Sequence, residues 1–196
     1  MRGPEGPRLT GGTAKGRRLF SVPGRDVRPA LARMRISVFE ILRSRLEGAT
    51  VVDLFAGTGS LGLEALSRGA GRALFYDVDR RSLDAVEKNL ERLGFSARGQ
   101  AMYGNAFEAA SRLERADLVF VDPPYDFYVD RAADMRSLME TLVARVLRGP
   151  EARVISEHRL REGLGDVAGG KIVDQREYGD TVVTFYAPAD APSSAK

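Results

Sequence analysis

The sequence predicts an α/β fold in which helices cover a mostly parallel β-sheet. Strand-like and helix-like segments alternate from residue 50 to residue 156, and the strand-like segments carry apolar residues on both faces. Strands that are apolar on both faces are typical of parallel sheets buried between helices. At the end of the chain, residues 171–177 and 181–186 flank Tyr178-Gly179-Asp180, which predicts an antiparallel hairpin.

The alternating region supplies five predicted strands and the four helices that connect them. The strands are expected at residues 50–55, 73–77, 100–103, 117–121 and 153–156. The helices are expected at residues 60–68, 80–93, 107–113 and 131–147. Together with the final hairpin, the strands predict a seven-stranded sheet.

A basic segment precedes the alternation. Residues 1–50 carry eleven lysine and arginine residues and four acidic ones, a net charge of +7 in a chain whose total is +3. Within this segment, residues 8–22 predict a hairpin and residues 30–46 predict a helix with apolar residues at helical spacing. A basic arm on an acidic body favours a polyanionic partner, although a solvated tail would have the same composition.

These observations define the expected domain organisation. Residues 8–46 form a basic N-terminal extension, and residues 47–187 form the main α/β domain. The Gly- and Pro-rich residues 1–7 and the tail at 188–196 are expected to be disordered.

The composition excludes several classes of protein. The chain has no cysteine, which rules out disulfides and thiolate metal sites. His158 is the one histidine, is expected at the surface, and has no Gly-x-Ser-x-Gly motif with it. The longest apolar runs are as short as strands, and no apolar segment of a signal peptide follows Met1. We therefore expect a cytoplasmic protein with no membrane segment and no metal.

A glycine-rich turn follows the first strand of the alternation. Gly57, Gly59 and Gly62 permit a close approach of the backbone to a ligand, and Asp77 ends the next strand, where a carboxylate can accept ribose hydroxyls. The spacing fits a dinucleotide such as NAD, or a turn required only for packing. Asp53, four residues before Gly57, instead favours a ligand with a cationic amino group.

The stretch Asp122-Pro123-Pro124-Tyr125 follows the fourth predicted strand of the alternation. An exocyclic amine on a nucleobase is a poor nucleophile, because its lone pair is delocalised into the ring. The Asp122 carboxylate and the rigid Pro123 carbonyl can accept its two N–H groups and direct the lone pair. Tyr125 can stack on a base that has left its helix. The alternative is a rigid loop, and the glycine turn at a matching strand end favours the clamp.

With these motifs the chain resembles the S-adenosylmethionine-dependent methyltransferases that act on amino nitrogens. More closely, it resembles the 16S ribosomal RNA guanine-N2 methyltransferase family, over about residues 8–187. The Arg28-Pro29 segment and the final hairpin point to this family in particular. The other matching segments are Arg8-Leu9-Thr10-Gly11-Gly12, Lys15-Gly16-Arg17-Arg18-Leu19, Arg33-Met34-Arg35, Val38-Phe39, Asp53 to Gly59, Asp122 to Tyr125, Glu157 and Tyr178-Gly179-Asp180-Thr181.

The resemblance implies a Rossmann-like class I methyltransferase with S-adenosylmethionine as its cofactor. It assigns the methionine part of the cofactor to Asp53, Phe55, Gly57 and Gly59, the ribose to Asp77, and the adenine to Asn105 and Ala106. It assigns the target amine and base to Asp122, Pro123 and Tyr125. The basic residues expected to bind rRNA are Lys15, Arg17, Arg18, Arg28, Arg33 and Arg35.

The chain departs from the family pattern at four places. Ala30, Ala32 and Ile36 replace Thr, Asp and Glu after the Arg-Pro segment, and Asn105 replaces an Asp. The methyl-transfer motifs are intact, so the upstream departures affect substrate positioning more than chemistry.

The expected function is therefore methyl transfer to guanine N2 in 16S rRNA, within the small subunit or its assembly intermediate, by a monomer. Two alternatives stay open. One is an amino methyltransferase that acts on a DNA adenine or a protein glutamine. The other is an inactive protein of the same fold that binds rRNA during assembly.

Overall fold

The computed structural model describes residues 5–21 and 29–191, and the chain divides into two compact units, Met1–Asn105 and Ala106–Lys196. The segments 1–4 and 192–196, for which disorder is expected, lie outside the described residues, as does Arg28. Disorder was also expected for residues 5–7 and 188–191, and the structure differs: residues 5–7 belong to a strand, Pro188 is the last residue of the final strand, and Ala191 is 3% exposed.

The first unit joins the basic extension to three parallel strands. The extension contains an antiparallel strand pair, a helix and a 3₁₀ turn at Arg43–Arg45. The parallel strands lie in the order β5-β4-β3, with Asp53 opposite Phe75 and Asp77 opposite Tyr103. In chain order the elements are β1 (Glu5–Arg8), β2 (Arg18–Phe20), α1 (Pro29–Ile41), β3 (Thr50–Asp53), α2 (Ser60–Ser67), β4 (Arg72–Asp77), α3 (Arg80–Leu93) and β5 (Gly99–Tyr103).

The boundaries of α3 follow from its capping residues. The Asp79 side chain accepts a hydrogen bond from the Arg81 amide at the N-terminus. Gly94 ends the helix with a φ of 76°, a left-handed conformation that favours glycine. Between the caps, Leu83, Val86 and Leu90 recur at intervals of three and four residues and are buried. Capping signals and periodicity agree, so the predicted and observed helices coincide.

The hairpin of the basic extension packs against helices α2 and α3 of the same unit. The amide and hydroxyl groups of Thr10 donate to the Glu64 carboxylate over 2.8 and 2.7 Å. The Phe20 amide donates to Asn89 Oδ1 over 2.7 Å. Leu9 and Leu19 are each 2% exposed. The hairpin is therefore part of the apolar core of this unit, and its removal would uncover that core.

The second unit contains a parallel strand pair followed by an antiparallel hairpin, in the order β6-β7-β9-β8. A π-helical turn at Leu142–Val146 ends its longest helix. The elements are α4 (Ala106–Ala109), β6 (Leu118–Val121), α5 (Phe127–Asp130), α6 (Ala132–Thr141), β7 (Arg153–Arg159), β8 (Gly170–Tyr178) and β9 (Thr181–Pro188). No helix in the described parts of the chain is long and apolar enough to cross a membrane.

Two parts of the second unit differ from the sequence expectation. The short helix α5 was not predicted, because Pro123 and Pro124 indicate a loop at this position. Strand β7 extends to Arg159, three residues beyond its predicted end, because β9 pairs with it in antiparallel register through Arg159 and Thr181. The extension of β7 determines the surroundings of Tyr125.

Candidate active site

Asp53 lies at the end of β3 beneath the glycine turn and is 1% exposed. Its Oδ2 accepts a hydrogen bond from the amide of Gly62, in the first turn of α2, over 3.1 Å. Its Oδ1 is buried and has no hydrogen-bond partner among the described residues. A buried carboxylate oxygen without a partner is costly, so this atom is suited to a donor supplied by a ligand.

The electrostatic environment supports this interpretation. The pKa of Asp53 is raised to about 7, mainly by burial; the hydrogen bond from the Gly62 amide opposes the rise, and the nearby charge of Asp77 adds to it. An ammonium group beside Oδ1 would stabilise the charged carboxylate. The geometry therefore fits the amino group of a bound amino-acid moiety, such as the one in S-adenosylmethionine.

Asp77, at the end of β4, fixes the other side of the turn. Its Oδ2 accepts from the Gly57 amide and its Oδ1 from the Asp79 amide, both over 2.8 Å. Each carboxylate oxygen retains a second lone pair that can accept a hydroxyl. Asp77 is 8% exposed, and it can therefore hold the turn and accept from a ribose at once.

The three positions of the turn require glycine for two different reasons. Gly57 and Gly59 have φ values of 54° and 78°, in the left-handed region. A Cβ on Gly62 would lie 2.3 Å from a ring atom of Phe75, so that glycine is required by the packing of α2 on β4. The third glycine serves the same helix–strand packing in dinucleotide-binding folds, so Gly62 does not distinguish NAD from another ligand.

The remaining predicted cofactor residues lie near strand ends. Phe55 and Asn105 are half-buried, and Ala106 begins α4 and is 3% exposed. The sequence analysis missed Val78 and Tyr103, whose apolar side chains are 62% and 59% exposed at the ends of β4 and β5. An apolar residue directly after Asp77 was the signal that could have marked Val78 as a candidate ligand contact.

The Asp122-Pro123-Pro124-Tyr125 stretch begins directly after β6 in the second unit. Asp122 is half-buried and Pro123 is buried. The Tyr125 hydroxyl lies 2.8 Å from Glu157 Oε1 and 3.0 Å from Thr181 Oγ1. Burial raises the pKa of Tyr125 to about 12, so its hydroxyl stays protonated at neutral pH.

Tyr128, in α5, anchors the same loop at a second point. Its hydroxyl is hydrogen-bonded to Ser156 Oγ, and its ring centroid lies 5.5 Å from that of His158. His158 is 3% exposed, with ring nitrogens 2.8 Å from the Arg159 carbonyl and 2.9 Å from Thr184 Oγ1. The expectation of a surface histidine is therefore wrong, because the longer β7 carries it into the core.

The basic residues of the extension differ in exposure. Lys15, Arg17 and Arg33 are exposed, while Arg18 is half-buried. Arg35 is 5% exposed, donates to the Arg8 carbonyl over 2.8 Å, and lies 3.6 Å from Glu64. Arg35 thus holds the extension together, and its side chain is too buried for the RNA contact that was predicted for it.

Comparison with known proteins identifies the family. The chain matches the family described as "Conserved hypothetical protein 95" over residues 7–187. The chain belongs to this family. Ribosomal RNA small subunit methyltransferase D of Escherichia coli (strain K12) is 36% identical over 161 residues, which cover 82% of this chain and 78% of that protein.

Solved structures agree with the fold. "Putative methyltransferase yhhF from Escherichia coli" is 29% identical, with a TM-score of 0.80 over 94% of this chain and 98% of that one. A structure described as "SMU.776, a putative methyltransferase complexed with SAH" is 17% identical and has a TM-score of 0.65, over 87% of this chain and 53% of that one. The predicted Rossmann-like class I fold and the methyltransferase class with S-adenosylmethionine as cofactor are confirmed.

The environment of Asp53 predicts how stability depends on pH. The folded-state pKa is raised from 3.8 to about 7, which corresponds to about 4 kcal/mol. Between about pH 4 and about pH 7, the folded protein therefore keeps a proton on Asp53 that the unfolded chain has lost. Because the folded state binds more protons, the free energy of unfolding falls as pH rises through this range. Asp53→Asn should raise the free energy of unfolding without cofactor at pH 8 by up to about 4 kcal/mol, and change it little at pH 4.

Urea unfolding at the two pH values measures this difference. In saturating S-adenosylmethionine the sign should reverse at pH 8, since the neutral amide cannot pair with the ammonium group. A stabilisation by Asn that is equal at both pH values would contradict the assigned titration.

Proposed function

We propose that this protein transfers the methyl group of S-adenosylmethionine to the exocyclic N2 amine of a guanine in small-subunit ribosomal RNA. The observation that carries the proposal is the Asp122-Pro123-Pro124-Tyr125 stretch, which two tyrosine hydroxyls fasten to the neighbouring strands. The name of the Escherichia coli relative supports rRNA of the small subunit as the substrate.

Residues of the first unit supply the proposed cofactor contacts, apart from Ala106. Asp53 Oδ1 accepts from its ammonium group, which gives that buried oxygen its partner. Asp77 accepts from the ribose hydroxyls, while the Gly57 amide keeps the Asp77 carboxylate oriented. Phe55 and Gly59 border the methionine portion, with Asn105, Ala106 and the exposed Val78 at the adenine.

Residues of the second unit prepare the amine. The Asp122 carboxylate accepts one N–H of the guanine amine and the Pro123 carbonyl accepts the other, which directs the nitrogen lone pair away from the ring. When bound, S-adenosylmethionine would supply an electrophilic methyl group, and its sulfur would keep the electron pair of the broken bond as a neutral thioether. Asp122 stabilises the positive charge that develops on the nitrogen, and the extra proton then leaves to solvent. Catalysis is mainly alignment and charge stabilisation.

The remaining residues recognise the nucleic acid. Tyr125 stacks on the extruded guanine. The exposed Lys15, Arg17 and Arg33, with the half-buried Arg18, contact phosphates of the rRNA. Arg28, outside the described residues, belongs to the same proposed set. The phosphate contacts provide affinity and orientation without reading base sequence.

Asp122→Ala tests the amine clamp. Removing the carboxylate should lower turnover by at least about a hundredfold, because it removes an interaction made with the reacting nitrogen. The cofactor is held by the first unit, so its affinity by calorimetry should change by less than a few-fold. The measurement is single-turnover transfer of a labelled methyl group to small subunits purified from cells that lack this protein.

Glu151→Ala is a matched control, since it removes an exposed carboxylate of the same unit. It should leave turnover unchanged. Wild-type turnover in Asp122→Ala would make the stretch a rigid loop. A wild-type protein that binds cofactor and small subunits without methyl transfer would favour the inactive assembly factor.

The basic extension predicts a salt dependence of RNA binding. Each phosphate contact on a single strand contributes a slope of about −0.7 to a plot of log affinity against log salt. Replacing Lys15 and Arg17 together with Ala should weaken binding and flatten the slope by about 1.4. Point substitutions are preferable to a truncation here, because Leu9 and Leu19 belong to the core.

Arg112→Ala with Arg115→Ala removes the same charge from exposed sites elsewhere and serves as the control. Fluorescence anisotropy with a fragment of small-subunit rRNA, from low to moderate salt, measures both slopes. Equal flattening by the two pairs would show a general effect of charge rather than contacts by the extension.

A further inference from the structure

We propose that Glu157 and Thr181 are positioning residues that lock the ring of Tyr125 in place for the target base. This inference rests on the proposed function, in which Tyr125 stacks on an extruded guanine. It assigns a role to two residues that touch neither the reacting amine nor the cofactor.

Strand geometry brings these residues together. Side chains alternate along a strand, so Glu157 and Arg159 lie on one face of β7, and Ser156 and His158 on the other. Thr181 of β9 is directly opposite Arg159 and shares its face. The Tyr125 hydroxyl reaches this face, while Tyr128 reaches Ser156 on the opposite one. The two tyrosines therefore contact β7 on both of its faces.

The hydrogen bonds at Tyr125 form a directed chain. The Glu157 carboxylate can only accept, so the Tyr125 hydroxyl donates to it over 2.8 Å. The tyrosine oxygen then accepts from the Thr181 hydroxyl over 3.0 Å. The two hydrogen-bond partners of the hydroxyl fix both the position and the tilt of the ring. A single hydrogen bond would leave the tilt free.

The ring itself has one face occupied. The guanidinium carbon of Arg159 lies 5.2 Å from the Tyr125 ring centroid, and Arg159 also lies 3.7 Å from Asp126. A base that stacks on Tyr125 must therefore use the opposite face. With the hydroxyl held at one end and Arg159 behind, the ring is a fixed platform rather than a mobile side chain.

The free-energy cost of burying the Glu157 carboxyl indicates that this side chain does more than fill space. Glu157 is 7% exposed, and burial raises the pKa of its carboxyl. Among the described residues, Tyr125 is its one hydrogen-bond donor. An apolar side chain would fill this space at lower cost, and a buried acid is retained where its hydrogen bond is needed.

A double-mutant cycle tests whether Glu157 acts through the Tyr125 hydroxyl. Tyr125→Phe keeps the ring and removes the hydroxyl, and Glu157→Leu removes the acceptor. Glu157→Leu should lower single-turnover methyl transfer about tenfold, the effect of one lost hydrogen bond, and Tyr125→Phe, which also loses the contact with Thr181, by at least as much. The double variant should be no slower than Tyr125→Phe alone, because that change already breaks the contact with Glu157.

Three measurements distinguish positioning from general destabilisation. Glu157→Gln keeps an acceptor oxygen and should restore most of the rate, and Thr181→Val should show the same non-additivity with Tyr125→Phe. Cofactor affinity should stay within twofold in every variant. If Glu157→Leu proves unstable to heat, the cycle with Thr181→Val decides the matter.

Losses that multiply in the double variants, or a wild-type rate in Glu157→Leu, would overturn the inference. The proposed function fails separately, because it requires Asp122→Ala to be inactive whatever the cycle shows. An inactive Asp122→Ala with multiplicative losses in the cycle would refute only the role of Glu157 and Thr181.

Discussion

The glycine turn after β3 depends on two buried carboxylates that accept from its backbone amides. Asp53 binds the amide of Gly62, and Asp77 binds the amide of Gly57. Together they hold the start of α2 while leaving acceptor capacity for a ligand, most clearly at Asp53 Oδ1. The same side chains thus shape the turn and define the chemistry of its ligand. A cation and a pair of hydroxyls suit them better than a pyrophosphate, whose negative charge would lie beside two acids.

In the second unit, two tyrosines hold the chain after β6 against β7. Tyr125 and Tyr128 belong to one short stretch of chain, yet they bind side chains on opposite faces of the strand. Asp122 and Pro123 immediately precede this anchored stretch, so their positions are restricted by it and by proline geometry. An amine that must be held in one orientation requires acceptors that do not move. The final hairpin contributes to this through Thr181, at the first position of β9.

Much of the fold could be predicted from the sequence, because local signals and tertiary pairing agree there. Helix α3 has caps at both ends, and the apolar strands have the composition of a parallel sheet. The positions of the two candidate cofactor acids could also be predicted, because Asp53 and Asp77 end their strands as expected, while the roles of these residues stay predictions. Local signals did not reveal the burial of Arg35 and His158. Arg35 is buried by Glu64 and the Arg8 carbonyl, and His158 by the pairing of β7 with β9. Both depend on contacts distant in sequence.

The identity of the methylated product tests the central claim most directly. Small subunits from cells without this protein would be incubated with the protein and labelled S-adenosylmethionine, alongside DNA and total cellular protein. The recovered material would then be digested to nucleosides and amino acids and analysed by mass spectrometry. The account predicts labelled N2-methylguanosine from the small-subunit rRNA, and at least about a hundredfold slower labelling with Asp122→Ala. Methyladenine in DNA, methylglutamine in protein, or a methylated nucleoside other than N2-methylguanosine would contradict it.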